Sequence, residues 1–172
     1  MKKIYLIALG MASSLSCAFM PLQAQAETFD AKVVSVIDGD TLSVLHNGGK
    51  ERVILYGIDC PEPAQEFGLE AKKFTDDNCY GKIVTIETKG TDPKGRTIAV
   101  VTLPDGNNLN KELLERGLAW WSDKFAPGET RFQVLQASAR SKQIGLWSGS
   151  NPIPPWLFRN GDKGVQGTIM SK

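Results

Sequence analysis

The sequence predicts an α+β domain, a small barrel of five strands carrying three helices, on three observations. From Thr28 to Leu103 the hydrophobic pattern has period two in five β-rich runs. A helical segment interrupts them after the third run, and beyond Pro104-Asp105-Gly106 the period lengthens to 3.6. Five strands with a helix after the third is the order of a Greek-key OB barrel, a fold whose exposed face often binds nucleic acids or sugars.

The strands expected are FDAKVVSVI, TLSVLH, KERVILYGI, KIVTIET and RTIAVVTL, separated by Asp-Gly, Asn-Gly-Gly, the helical insert and a Lys-Gly turn. The insert QEFGLEAKKFTDDNC places Phe67, Ala71, Phe74 and Asn78 on one helical face. LNKELLERGLAWW does the same with Leu109, Leu113, Leu114, Gly117 and Leu118, and TRFQVLQASARSKQIGLW with Phe132, Leu135, Ala139 and Ile144. NPIPPWLFR is read as an extended segment docked by its aromatics, because its prolines argue against helix and central strand.

Residues 1–26 form a secretory signal peptide, with two lysines, an apolar run and Ala24-Gln25-Ala26 before Glu27. The rival, lipidation at Cys17, lacks the large apolar residue expected three positions earlier. Residues 27–159 are one domain and 160–172 a disordered tail. No second apolar run is long enough to span a bilayer, so the mature chain is expected to be a secreted or periplasmic monomer. The leader's two lysines lower the net charge from +1 for the whole chain to −1 for the remainder. Any attraction to phosphate must then come from a local patch. Cys60 and Cys79 remain, as a disulfide or as two free thiols. His46, the only histidine, falls beside the Asn47-Gly48-Gly49 turn and is expected to be exposed. With no second histidine, triad chemistry has no support.

Three clusters could carry chemistry. Asp38-Gly39-Asp40-Thr41 lies between the first two strands, where an ordinary turn is the simpler reading. Asp59 and Glu62 flank Cys60-Pro61 at the end of the third strand. In an OB barrel that end can approach Asp40, and two facing carboxylates call for a shared proton or a hard cation such as calcium or magnesium. Glu62 then reaches a metal-proximal water as general base. Thr91-Asp92-Pro93-Lys94-Gly95-Arg96 presents a guanidinium at the start of the fifth strand, suited to an anion.

In order, VIDGDT, YGIDCPE, TDPKGR, LNKELLERGLAWW, GLW and NPIPPW resemble the staphylococcal nuclease-like (thermonuclease) domains over about residues 28–159. The resemblance implies an OB barrel with three helices and a calcium-dependent nuclease that cleaves DNA and RNA to 3′-phosphates. By matching position it implies Asp40 and Asp59 as side-chain ligands and Cys60 as a carbonyl ligand. Asp38 and Thr41 would support that site, Glu62 would activate water and Arg96 would bind the reacting phosphate.

The chain also departs from this pattern. Ile54 stands where family members usually carry arginine, Lys94 where many have tyrosine, and Ser122, Asp123 and Phe125 where tyrosines contact the nucleotide. Arg52 lies on the same strand face as Ile54, about 6.6 Å along, and with Lys94 is a candidate substitute. Of the adjacent Trp120 and Trp121, at least one is expected in the core, leaving Trp121 as a candidate for base stacking. The alternatives are an OB-fold module that binds nucleic acid without cleaving it and an interaction domain stabilised by calcium.

Overall fold

A computed structural model describes residues 27–161. The expected leader and all but the first two residues of the expected tail therefore lie outside the described residues. Five strands close into a barrel in the order β1-β2-β3-β6-β5: β1 Thr28–Val36, β2 Thr41–His46, β3 Gly49–Leu55, β5 Ile83–Thr91 and β6 Thr97–Thr102. Neighbours are antiparallel except β3 and β6, which run parallel with Val53 opposite Thr97. Alternation does what period two predicts: Val53 and Leu55 point into the barrel, while Arg52 is exposed and Ile54 half-buried.

The third predicted run is interrupted. β3 ends at Leu55, Gly57 turns the chain at φ +73°, and Ile58–Asp59 form a separate strand, β4. Its partner β7, Trp120–Trp121, occupies the end of what the sequence suggests is one helical segment. The helix α2, Leu109–Glu115, stops because Gly117 adopts φ +60° and lies against Ile144, whose carbonyl oxygen would stand 2.1 Å from a Cβ there. Asn110, wholly buried, holds the strand break from below: its amide donates to the Tyr56 carbonyl at 2.9 Å and its oxygen accepts from the Val101 amide at 3.1 Å.

Helix α1, Gly68–Cys79, follows β4, but its inward stripe is Gly68, Ala71, Thr75 and Cys79, with Phe74 only half-buried. Small residues face inward because the helix packs directly on a tight turn. A Cβ on Gly39 would lie 2.8 Å from Ala71 Cβ and from the Cβ and Sγ of Cys60, and Thr75 Oγ1 donates to the Gly39 carbonyl at 2.6 Å.

Helix α3, Thr130–Ser141, and a 3₁₀ turn, Gly145–Ser148, complete a second core of Trp120, Ala139, Leu146 and Trp147. Ile144, expected on the inner face of that helix, lies beyond its end and is exposed. The Arg140 guanidinium sits 4.0 Å from the centroid of the Trp147 ring and 5.0 Å from that of Trp120.

Two expectations are corrected. The proline-rich segment is not wholly extended: Pro155–Arg159 form a fourth helix, α4. Pro155 occupies its first turn, where the missing amide costs nothing and the fixed φ is already helical. His46 is not exposed but half-buried, stacked on Phe29 with centroids 3.8 Å apart. Cys60 and Cys79 are both free and buried. Burial pushes the Cys79 thiol up to about 12, and burial together with nearby carboxylates raises that of Cys60 well above the ordinary range. Among the described residues no helix is long and apolar enough to cross a membrane.

Candidate active site

Asp40 ties the two ends of the strand break together. Its backbone carbonyl accepts from the Leu55 amide at 2.9 Å, and its carboxylate oxygen Oδ2 accepts from the Cys60 amide at 2.6 Å. The carboxylate thus lies against the residue next to Asp59, although 20 positions separate the partners in sequence. Two neighbours in sequence bind Asp40: Asp38 accepts from the Asp40 amide at 3.2 Å and Thr41 Oγ1 donates to Asp40 Oδ1 at 3.1 Å.

This is an electrostatically unfavourable place for a carboxylate. Burial raises the Asp40 carboxyl well above the usual range, and the negative charges of Asp38 and Asp59 raise it further, against the lowering effect of the Cys60 amide. Burial also raises Asp59. The donor set consists of oxygens with excess negative charge, and this fits a hard cation. Among the described residues no three His, Cys, Asp or Glu side chains gather as a metal-binding group. A cation here would be held by Asp40 and Asp59 with backbone and water oxygens, the sparse set that the sequence suggests.

Glu62 stands on a turn that closes back on itself. Its amide donates to Gln65 Oε1 at 2.9 Å and its carbonyl accepts from the Gln65 amide at 2.8 Å. Gly68 permits this turn to lie on α1, since a Cβ there would fall 1.9 Å from the Glu62 carbonyl oxygen.

A residue that sequence reasoning missed joins the two acids. Arg159, in the last turn of α4, donates through Nη1 to Asp59 Oδ1 at 3.0 Å and to Glu62 Oε1 at 2.7 Å, and through Nη2 to Asp59 Oδ2 at 2.7 Å. These hydrogen bonds are the chief influence opposing the rise of the Asp59 carboxyl, and they raise the Arg159 guanidinium in turn. Nothing local announces the contact, because 97 to 100 residues separate the partners. The only available signal was a proline at a helix start followed by four residues that a helix tolerates.

The predicted phosphate-binding turn lies, as expected, at the start of the fifth barrel strand. Arg96 precedes Thr97 at the start of β6, beside β3, but its guanidinium is bound to Asp92, through Nε at 2.7 Å and Nη2 at 2.6 Å. Asp92 also accepts from the amides of Arg96 and Lys94, and these bonds hold its carboxyl below the usual range. Arg52 lies exposed on the outer face of β3, and Ile54, on the same face, is half-buried. Trp120 enters the second core. Trp121 is half-buried, its amide bound to Gln136 at 2.8 Å and its indole N–H to the Ala126 carbonyl at 3.3 Å.

Barrel and site together define an OB-fold protein whose carboxylates are gathered at the end of β3 to meet a positive charge. The chain matches the family described as "Staphylococcal nuclease homologue" over residues 52–149. It is 38% identical over 155 residues to an uncharacterized endonuclease of Haemophilus influenzae, covering 89% of this chain and 86% of that protein. With a micrococcal nuclease of Shigella flexneri it shares 33% identity over 144 residues, 78% of this chain and 83% of the other. With the thermonuclease of Staphylococcus intermedius it shares 36% over 127 residues, 67% and 74% of the two chains. This chain belongs to the staphylococcal nuclease homologue family. Family membership and the names of these relatives support a nuclease.

Proposed function

We propose that the protein is a calcium-dependent nuclease that hydrolyses phosphodiester bonds of DNA and RNA to leave 3′-phosphates, acting outside the cytoplasm as a secreted or periplasmic monomer. The observation that carries this reading is the Asp40 carboxylate lying against Cys60, between Asp59 and Glu62 in sequence, in surroundings whose burial and like charges a bound cation would relieve. Asp40, Asp59 and the Cys60 carbonyl would hold the ion, kept in place by Asp38 and Thr41. Calcium there supplies charge neutralisation at the phosphate.

The chain's own residues do the rest. Glu62 takes a proton from water, the hydroxide oxygen forms a bond to phosphorus, and the bond from phosphorus to the 5′ oxygen breaks. That oxygen is protonated from solvent, leaving a 3′-phosphate and a 5′-hydroxyl. Arg96, with Lys94 and Arg52, attracts the polyanion, and the open side of Trp121 is available to a base. The test is plasmid DNA and an RNA transcript incubated with the protein in calcium, with and without chelator. The expected result is cleavage to 3′-phosphate ends that stops on chelation. Binding without cleavage would overturn the reading in favour of a nucleic-acid-binding module.

A further inference from the structure

We propose that Arg159 is a further guanidinium that grips the scissile phosphate, delivered to the site by α4; the proposal rests on the nuclease reading above and assigns a residue within that site. The geometry comes first. Arg159 touches both Asp59, where a cation would be held, and Glu62, which would activate water. A phosphate attacked by that water must lie beside both acids, and therefore within a side chain's swing of this guanidinium. Among the described residues no other lysine or arginine forms an ion pair with Asp40, Asp59 or Glu62.

The competing cations are worse placed. Arg96 has two of its nitrogens, Nε and Nη2, engaged by Asp92, Arg52 lies out on the barrel wall, and Ile54 is aliphatic.

The position of Arg159 is built rather than incidental. Trp156, one turn earlier in α4, packs edge-on against Trp120 with centroids 5.8 Å apart, and Trp120 is the strand partner of Asp59. Gln65, which accepts from the Glu62 amide, donates to the Ile153 carbonyl at 3.0 Å just before α4. Pro155, the first residue of α4, is buried. Both acids are thus fastened to the segment that carries the arginine, one through a tryptophan pair and the other through a glutamine.

A purely structural strap would not need this location. A half-exposed ion pair contributes little to stability. Here it also occupies oxygens of Asp59 that the site offers to a cation. The arrangement makes sense as an exchange. When a cation neutralises Asp59, the planar fork of Arg159 moves from carboxylate to phosphate, two acceptors of matching bidentate geometry. The same movement vacates Glu62 Oε1, leaving that oxygen free for the water. The Arg159 side chain is 48% exposed, so one side already faces incoming substrate.

The test compares wild type with Arg159→Ala and Arg159→Lys. Cleavage is measured in calcium, and binding of a cleavage-resistant phosphorothioate DNA oligonucleotide is measured in calcium across a range of KCl. Calorimetry follows calcium binding to the protein alone, and thermal melting checks the fold. Arg159→Ala should lose about 10²–10³-fold in kcat/KM, as on deletion of one transition-state donor, with calcium binding retained or tightened. The slope of log affinity against log salt should fall by about 0.7, the share of one phosphate contact on a single strand. Arg159→Lys should recover only part of the rate, because an ammonium is a point charge without the fork.

Cleavage by Arg159→Ala at or above the wild-type rate would overturn the proposal and leave a strap or a plug. An unchanged salt slope would overturn it too. Should the alanine variant fail to fold, Arg159→Lys decides: a rate equal to wild type refutes the fork. If wild type itself does not cleave, the nuclease reading fails, and the salt slope still reports whether Arg159 meets phosphate.

Discussion

Arg96 and Arg159 both sit on carboxylates, and these two pairs are built in opposite ways. Arg96 and Asp92 are four residues apart in one turn, whose backbone amides bind the same carboxylate. Arg159 reaches Asp59 across 100 residues, and its place depends on β4, β7, α4 and the tryptophans between them. The first pair is a property of six residues and would survive transplantation; the second is a property of the whole fold. A short-range pair can shape a turn, whereas only a long-range one can report that the entire site has assembled.

The strongest way to probe the long-range side is Glu62→Gln, which preserves shape while removing the base. Cleavage should fall about 10²–10⁴-fold, with calcium affinity by calorimetry nearly unchanged because Glu62 is not a proposed ligand. An equal fall in both would assign Glu62 to the cation instead.

Asn110→Ala strikes the prop under the same strand break. It leaves the Tyr56 carbonyl and the Val101 amide buried without their partner, at about 1–3 kcal/mol each. Chemical denaturation should show a loss of roughly 2–6 kcal/mol, again from unsatisfied buried groups. Gly39→Ala should cost somewhat less, about 1–3 kcal/mol for overpacking, because its Cβ would meet Ala71 and Cys60 at 2.8 Å. It should also weaken calcium binding, since the turn carrying Asp40 must shift.

The smallest effect belongs to the local pair. Asp92→Asn should speed amide exchange within residues 92–96 and leave calcium affinity and the rest of the barrel untouched. Protection lost as far away as β4 would show that the two arginine sites are coupled after all.

The same contrast explains what the sequence reveals. Strand runs and helix existence follow local periodicity, and the barrel order follows from their succession. Asp38, Asp40, Thr41, Asp59 and Glu62 lie close in two short motifs, so their meeting was legible as soon as the barrel was. Helix ends and faces were less so. Phe67 and Phe74 look like the core stripe of α1, but Gly39 demands small neighbours and turns Ala71 and Thr75 inward. Prolines argue against α4 only until the first-turn exception is allowed. The contact of Asn110 with the Tyr56 carbonyl and those of Arg159 could not be found locally, because the partners are supplied by chain 54 and about 100 residues away.

The distance between Asp59 and Arg159 also has a temporal side. A ribosome releases the chain from its amino end, so the DGD turn and the third barrel strand leave the exit tunnel before α4 has been synthesised. During that interval the acids have no internal counter-cation, and the growing chain lies among ribosomal RNA. On the role assigned to Arg159, the unfinished chain carries the negative half of a phosphate site without its positive half. Cleavage competence would then be postponed until translation has passed residue 159.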